Sequence, residues 1–387
     1  MKKTLFILSC LITISASAQT TALYNSGNMQ IHDEGQIGFH TNLINDGSFD
    51  ENLGLAGFYG EFPLNVSGAF AATFFDLEIS NSNFVNLSTA LNSRNNTNFI
   101  MGDFVTNRSQ TDTYLNFLQN ATSNGSGDFS KVDGYAAASN QQNFTFPVGD
   151  TEQLRPLVMN STAVNVFAKC AYFFEDPNSP SAFPSSFNTS IKLNSIDAIS
   201  TVEFWRLEGS VPSFIQISWN DQSNISALVP DIAQLGIVGW QKSTNQWVSL
   251  GGTDGIGDLS QGFISSASFI PDEYEIITFG NSFEEDSEIT ELINPDDFLV
   301  TPNGDGVNDA LIIPETDLSP NNSIQIFDRY GLKVFEMNNY TNEFTGFATT
   351  NNFVISKDKG LASGVYFYIL TLDDMNLSFQ GFLYLAR

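Results

Sequence analysis

Between residues 20 and 148 apolar positions come in short pulses separated by Gly, Asn and Asp. Met29 and Ile31, Ile37 and Phe39, Leu43, Phe49, Leu64 and Val66, then Phe75, Leu77 and Ile79 alternate or nearly alternate with polar residues. The pattern continues through Phe84, Leu87, Phe99 and the Tyr114–Leu118 run. Period-two alternation is the mark of half-buried strands, and helical spacing is almost absent. The intervals are short and irregular, which points to a small β-solenoid of stacked coils, with a meandering β-sandwich as the competing reading.

The same pattern divides the rest of the chain. Residues 149–282 carry a second β-rich unit, with strands expected at 164–174, 203–207, 215–219, 235–240 and 246–250 and a closing strand at 274–280. Pro147 and Pro156 mark strand edges or turns, because proline has no N–H for a ladder. Residues 283–297, FEEDSEITELINPDD, hold seven acids and no base. Their mutual repulsion favours an extended linker. From 298 to 387, six or seven further strands are expected, among them Leu311–Ile313, Phe353–Ile355 and a long one through Tyr366 and Tyr368. The fold class is therefore all-β: a solenoid-like or meandering module, a central β-sandwich, and a C-terminal sandwich of immunoglobulin-like type.

Composition narrows the setting. Forty-three acidic residues face 15 basic ones, a formal charge of −28. Such a surface repels nucleic acid and anionic lipid, and nucleic acid is excluded as a partner. Lys2 and Lys3, a roughly ten-residue apolar run over 5–14 and Ala16, Ser17 and Ala18 have the layout of a secretory signal peptide over residues 1–18. That run is too short to span a membrane as a helix. Cys10 lies inside the run with few apolar residues before it, which argues against a lipoprotein. Without the leader, Cys170 is the one thiol, so stability must come from packing rather than disulfides.

The last ninety residues carry the clearest motifs. They are a turn with Pro302, Asn303, Gly304, Asp305, Gly306, Asn308 and Asp309, a second turn at Arg329 and Gly331, the strand Gly364, Tyr366, Tyr368, and a final strand from Gly381 through Tyr384 to Arg387. Together they resemble the gliding motility-associated C-terminal domain, the type B sorting domain of Bacteroidota type IX secretion substrates. Residues 146–150 (FPVGD) and 154–157 (LRPL) are similar to a β-rich module that often precedes it. Phe344–Phe347 stands where the family commonly has a Trp-containing turn, and Leu361–Gly364 replaces the usual Leu-Pro-x-Gly. The resemblance implies a domain that folds in the periplasm and is recognised by the outer-membrane translocon. It also implies dependence on a partner outer-membrane β-barrel protein, and in some members retention of the domain as an anchor. The motif residues above are the expected sorting and docking positions, with the aromatic face near Tyr366 and Tyr368 and the final strand as the docking surface. Display at the outer cell surface follows, and other surface adhesins are further candidate partners.

Candidate chemistry upstream is sparse. His32 and His40 are the two histidines, near Asp33 and Glu34, without the helical spacing of a zinc motif. Cys170 lies in a strand-like run and reads as a buried thiol. Asn303, Asp305, Asn308 and Asp309 could offer oxygens to calcium, but Thr301 and Ile312 occupy the first and twelfth loop positions where carboxylates are needed. An Asx-type turn is the simpler reading. The stretch 251–258 reads as a hairpin loop. Glu203 and Glu208 flank Trp205, and all four tryptophans (Trp205, Trp219, Trp240, Trp247) fall in the middle unit. They could form a sugar platform, although core packing explains them as well. Two functions stand: a non-catalytic surface protein of an adhesion or gliding apparatus, needing no cofactor, or a glycan-binding or glycan-cleaving exoprotein acting through the Trp-rich module.

Overall fold

The structure, a computed structural model, describes residues 22–252, 255–282, 298–313, 316, 319–350, 360–373 and 377–387. The expected leader, the acidic linker and the expected strand Phe353–Ile355 lie outside the described residues. No helix among these is long and apolar enough to cross a membrane.

Parallel pairing dominates the first 150 residues. The strands are β1 (Ala22–Asn25), β2 (Gln36–Phe39), β3 (Asn42–Asn45), β4 (Leu55–Gly60), β5 (Leu64–Ser67), β6 (Ala72–Leu87), β7 (Leu91–Thr106), β8 (Leu115–Phe117) and β9 (Thr122–Asn124), followed by β10 (Val132–Asp133), β11 (Tyr135–Phe146) and β12 (Val148–Gly149). They stack in three parallel ladders, so the solenoid, not the meander, is the architecture. One ladder aligns Leu43, Val66, Leu87 and Thr106. A second aligns Phe39, Phe58, Ile79 and Phe99. A third aligns Ala72, Leu91, Leu115 and Ala136. Each column is buried, so every coil delivers one inward side chain per face onto its equivalent below. Parallel stacking satisfies the backbone along the faces, and the corners need side chains to finish the task. Asn25 Nδ2 donates to Asn45 Oδ1 at 2.7 Å, and Asn45 Nδ2 to the Phe70 carbonyl at 3.0 Å. Asn52 links the Ile31 N–H (2.6 Å) to the Thr73 carbonyl (2.8 Å). At Gly102, φ is +80°, and a Cβ would collide with the carbonyl oxygen of Asn81 one coil below.

The solenoid runs into the middle module without a break. β11 pairs parallel with β8 and antiparallel with β13 (Leu157–Phe173) along nearly its whole length. After β13 come β14 (Ile196–Ile199), β15 (Phe204–Gly209), β16 (Ser213–Trp219), β17 (Leu235–Gln241), β18 (Gln246–Ser249), β19 (Ile256–Gly257), β20 (Gly262–Ser265) and β21 (Tyr274–Ser282). Residues 168–173 of β13 pair with β15, and β15 with β21, β17 and β18 follow in one layer. Residues 157–161 of the same strand pair with β16, β20 and β19 in the other. One hydrophobic core reaches from Ile31 to Phe279, and β12 straddles the junction placed at 148/149.

A separate five-stranded sheet closes the chain. It comprises β22 (Phe298–Val300), β23 (Asn322–Phe327), β24 (Lys333–Asn338), β25 (Gly364–Leu372) and β26 (Leu377–Leu385), in the order β22-β26-β25-β23-β24. The described residues form this one sheet and not the two of an immunoglobulin-like sandwich. Leu311–Ile313, expected as a strand, is irregular and held by a bond from the Leu311 N–H to the Phe344 carbonyl. Pro314 follows it and has no N–H to extend a ladder. Leu311, Ile313, Tyr340, Phe344 and Leu361 instead form an irregular layer over one face of the sheet.

Candidate functional site

The upstream candidates do not converge. Cys170 is fully buried in β13, where burial pushes its thiol pKa well above the usual range. His40 lies against the Tyr59 ring in the first coils, 5.7 Å between ring centres. Among the described residues no group of three or more His, Cys, Asp or Glu could hold a metal ion. All four tryptophans are buried, so they offer no stacking platform for a sugar.

Glu203 and Glu208 take different partners. Glu203 is fully buried and bound by both arms of Arg155, Nη2 to Oε1 at 2.7 Å and Nε to Oε2 at 3.1 Å. The Tyr172 hydroxyl donates to Glu203 Oε2 at 2.6 Å, and Arg155 also reaches Ser223 Oγ at 2.8 Å. The guanidinium lies 5.5 Å from the Trp205 ring centre, and Trp205 Nε1 donates to the Arg155 carbonyl. Glu208 pairs instead with Lys169 at 3.1 Å and Arg206 at 3.2 Å near the surface. Arg155 of the LRPL element is thus a buried anchor inside the middle module.

The C-terminal motifs, by contrast, gather at one end of the last sheet. β22 and β26 run parallel, with Val300 opposite Leu385, so the turn after β22 begins beside Arg387. β25 runs the other way and places Gly364 opposite Leu385; β23 ends at Phe327 opposite Phe367, which brings the Arg329–Gly331 hairpin to the same end. The first turn closes on itself. Asp309 accepts the N–H groups of Gly304 (2.7 Å) and Gly306 (2.8 Å), Asn303 Oδ1 accepts that of Asp305, and Asp305 Oδ1 accepts that of Val307. The Val307 N–H, with help from Asn303, lowers the Asp305 pKa. The carboxylates are therefore occupied by the loop's own donors, an Asx-type arrangement, with Pro302 at its entrance and Asn308 at positive φ. Arg387 is clamped by both divergent turns: its Nη2 donates to the Gly346 carbonyl (2.9 Å), its N–H to Ser363 Oγ (3.0 Å), and its guanidinium lies 4.5 Å from the Phe347 ring centre. Arg329 lies 4.8 Å from the ring centre of half-exposed Tyr330. Gly331 takes a φ of +76°, which lets the hairpin lie against the Ser126 carbonyl of the solenoid.

The strand faces reverse one expectation. Tyr366 and Tyr368 point into the domain's own core, not outward, because they share the face of Leu370, Leu372, Ile324 and Ile326 that the irregular layer covers. Tyr366 donates to the Ala362 carbonyl at 2.8 Å, and burial pushes its pKa up to about 12. The Tyr368 ring lies over Gly381, its partner across the strands, where a side chain would not fit. The opposite face carries Leu299, Val365, Phe367, Phe382 and Tyr384, and it packs on Val158, Ile256 and Phe263 of the sandwich. The Phe263 and Phe382 rings are 5.6 Å apart, the Phe382 N–H donates to Gln216 Oε1 and the Tyr384 hydroxyl to Asp258 Oδ2, both at 3.3 Å. Sequence reasoning missed these sandwich residues, since nothing local marks them as interfacial.

Residues 293–385 fit the family model described as the CHU_C Type IX secretion signal domain. No curated protein and no solved structure matches the chain. The chain thus carries a type IX secretion signal domain over its last strands, the element through which it engages that secretion machinery and is exported to the outer cell surface.

Proposed function

We propose that this is a non-catalytic surface protein, a β-solenoid and sandwich displayed outside the cell and attached through the C-terminal domain as part of an adhesion or gliding apparatus. The observation that carries this reading is the gathering of the domain's motif turns and Arg387 at one end of a sheet that matches a secretion signal. A second support is the burial of the upstream candidates: Cys170, Glu203 and the four tryptophans all lie in the core. The glycan-active alternative loses its platform with the tryptophans buried. In this reading Pro302–Asp309, Arg329, Gly331, Gly364 and Arg387 form the recognition end, and a partner outer-membrane β-barrel retains the exported protein. Arg387→Ala, which leaves the β26 ladder intact, should cut surface display severalfold while the purified variant keeps its melting temperature. Display at normal levels by a chain lacking residues 381–387 sinks the export half of the reading. Turnover of a polysaccharide or peptide by the purified protein sinks the non-catalytic half.

A further inference from the structure

Both faces of the C-terminal sheet are apolar, and only the inner one is closed by the domain's own chain. The outer face, with Phe367, Phe382 and Tyr384, is the kind of contiguous apolar surface that serves for docking when exposed. In the folded protein it is taken by the sandwich. That seam differs from the continuous core of the rest of the molecule. The bonds that Phe382 and Tyr384 send across it are long, 3.3 Å each, and a cavity of ≈ 180 Å³ remains between the modules, lined in part by Trp219, Gln261, Asp328, Tyr330 and Phe367. The buried Thr145 hydroxyl, which also borders the cavity, has no hydrogen-bond partner. Asp128 and Asp328 repel each other across the gap, and burial together with that repulsion raises the Asp328 pKa. An incompletely filled seam with long polar bonds is held less tightly than the continuous core beside it.

We propose that the seam is an intramolecular mask: the sandwich occupies the apolar face of the sorting sheet, and the export machinery gains that face only by displacing it. The proposal rests on the reading that this sheet is what the machinery grips. Two measurements on the full-length chain separate the two ideas. In the first, hydrogen exchange is followed at residues 379–384 in the wild type and in Phe263→Ser. The mask requires protection at Phe382 to be lost in the variant, while tryptophan fluorescence shows the sandwich still folded; unchanged protection overturns it, whatever the route of export. In the second, surface display of Phe263→Ser is followed in time in the native cell. With the face already released, the variant should appear at the surface faster than the wild type. Display no faster than that of the wild type overturns the mask.

Discussion

At the scale of single residues, burial decides which charged groups matter. Lys131, with its side chain almost wholly buried, holds Asp103 Oδ2 at 3.3 Å and also donates to the Asp128 carbonyl at 2.7 Å. Burial nevertheless outweighs the lysine and raises the Asp103 pKa to about 6, with Asp133 adding to the rise. The folded value exceeds the unfolded one of about 3.9, so the folded state binds the proton more tightly. The resulting stability is fully present below about pH 4 and is lost as pH rises through about 6, on the order of 3 kcal/mol in all. Asp103→Asn should flatten that fall, measured as melting temperature against pH; an unchanged slope would rule it out. The Glu203–Trp205 neighbourhood shows why residue roles were hard to read in advance. Its acid looks catalytic until Arg155 arrives from 48 positions away and neutralises it.

At the scale of elements, the apolar pulses marked where strands lie. β16, β17 and β18 appear within one or two residues of their expected spans, and β25 alternates buried and half-buried positions along its whole length. What alternation does not carry is a bend. β6 and β7 each run for 16 residues and change ladder twice, so that one strand serves three faces. In β7 the corner between its second and third segments depends on backbone that only glycine adopts easily, at Gly102. Gly102→Ala should therefore cost about 1–3 kcal/mol, from the left-handed φ and the clash with Asn81, read as a lower midpoint in urea. A neutral result would mean that the corner is looser than its geometry.

At the scale of the whole molecule, solenoid and sandwich share one core and one hydrogen-bonded sheet. Stability in stacked coils passes from neighbour to neighbour, and here the last neighbour is the sandwich. All the tryptophans lie in the sandwich, so their fluorescence reports that module alone. Phe58→Ala, a deletion of roughly 3–5 kcal/mol deep in the solenoid, should nonetheless lower the transition seen by tryptophan. Two separate transitions, with the tryptophan one unmoved, would show that the modules melt independently.

The sequence by itself determined the β class, the module order and the secretion signal, because period-two alternation, turn glycines and short motifs are local properties. Tertiary structure alone decided that the pulses stack as parallel coils, that the tryptophans and Glu203 are core, and that Tyr366 and Tyr368 face inward while Phe367 and Phe382 face the sandwich. Those outcomes depend on which strands meet across long separations. A strand with two apolar faces carries no local mark of which one its own domain will bury.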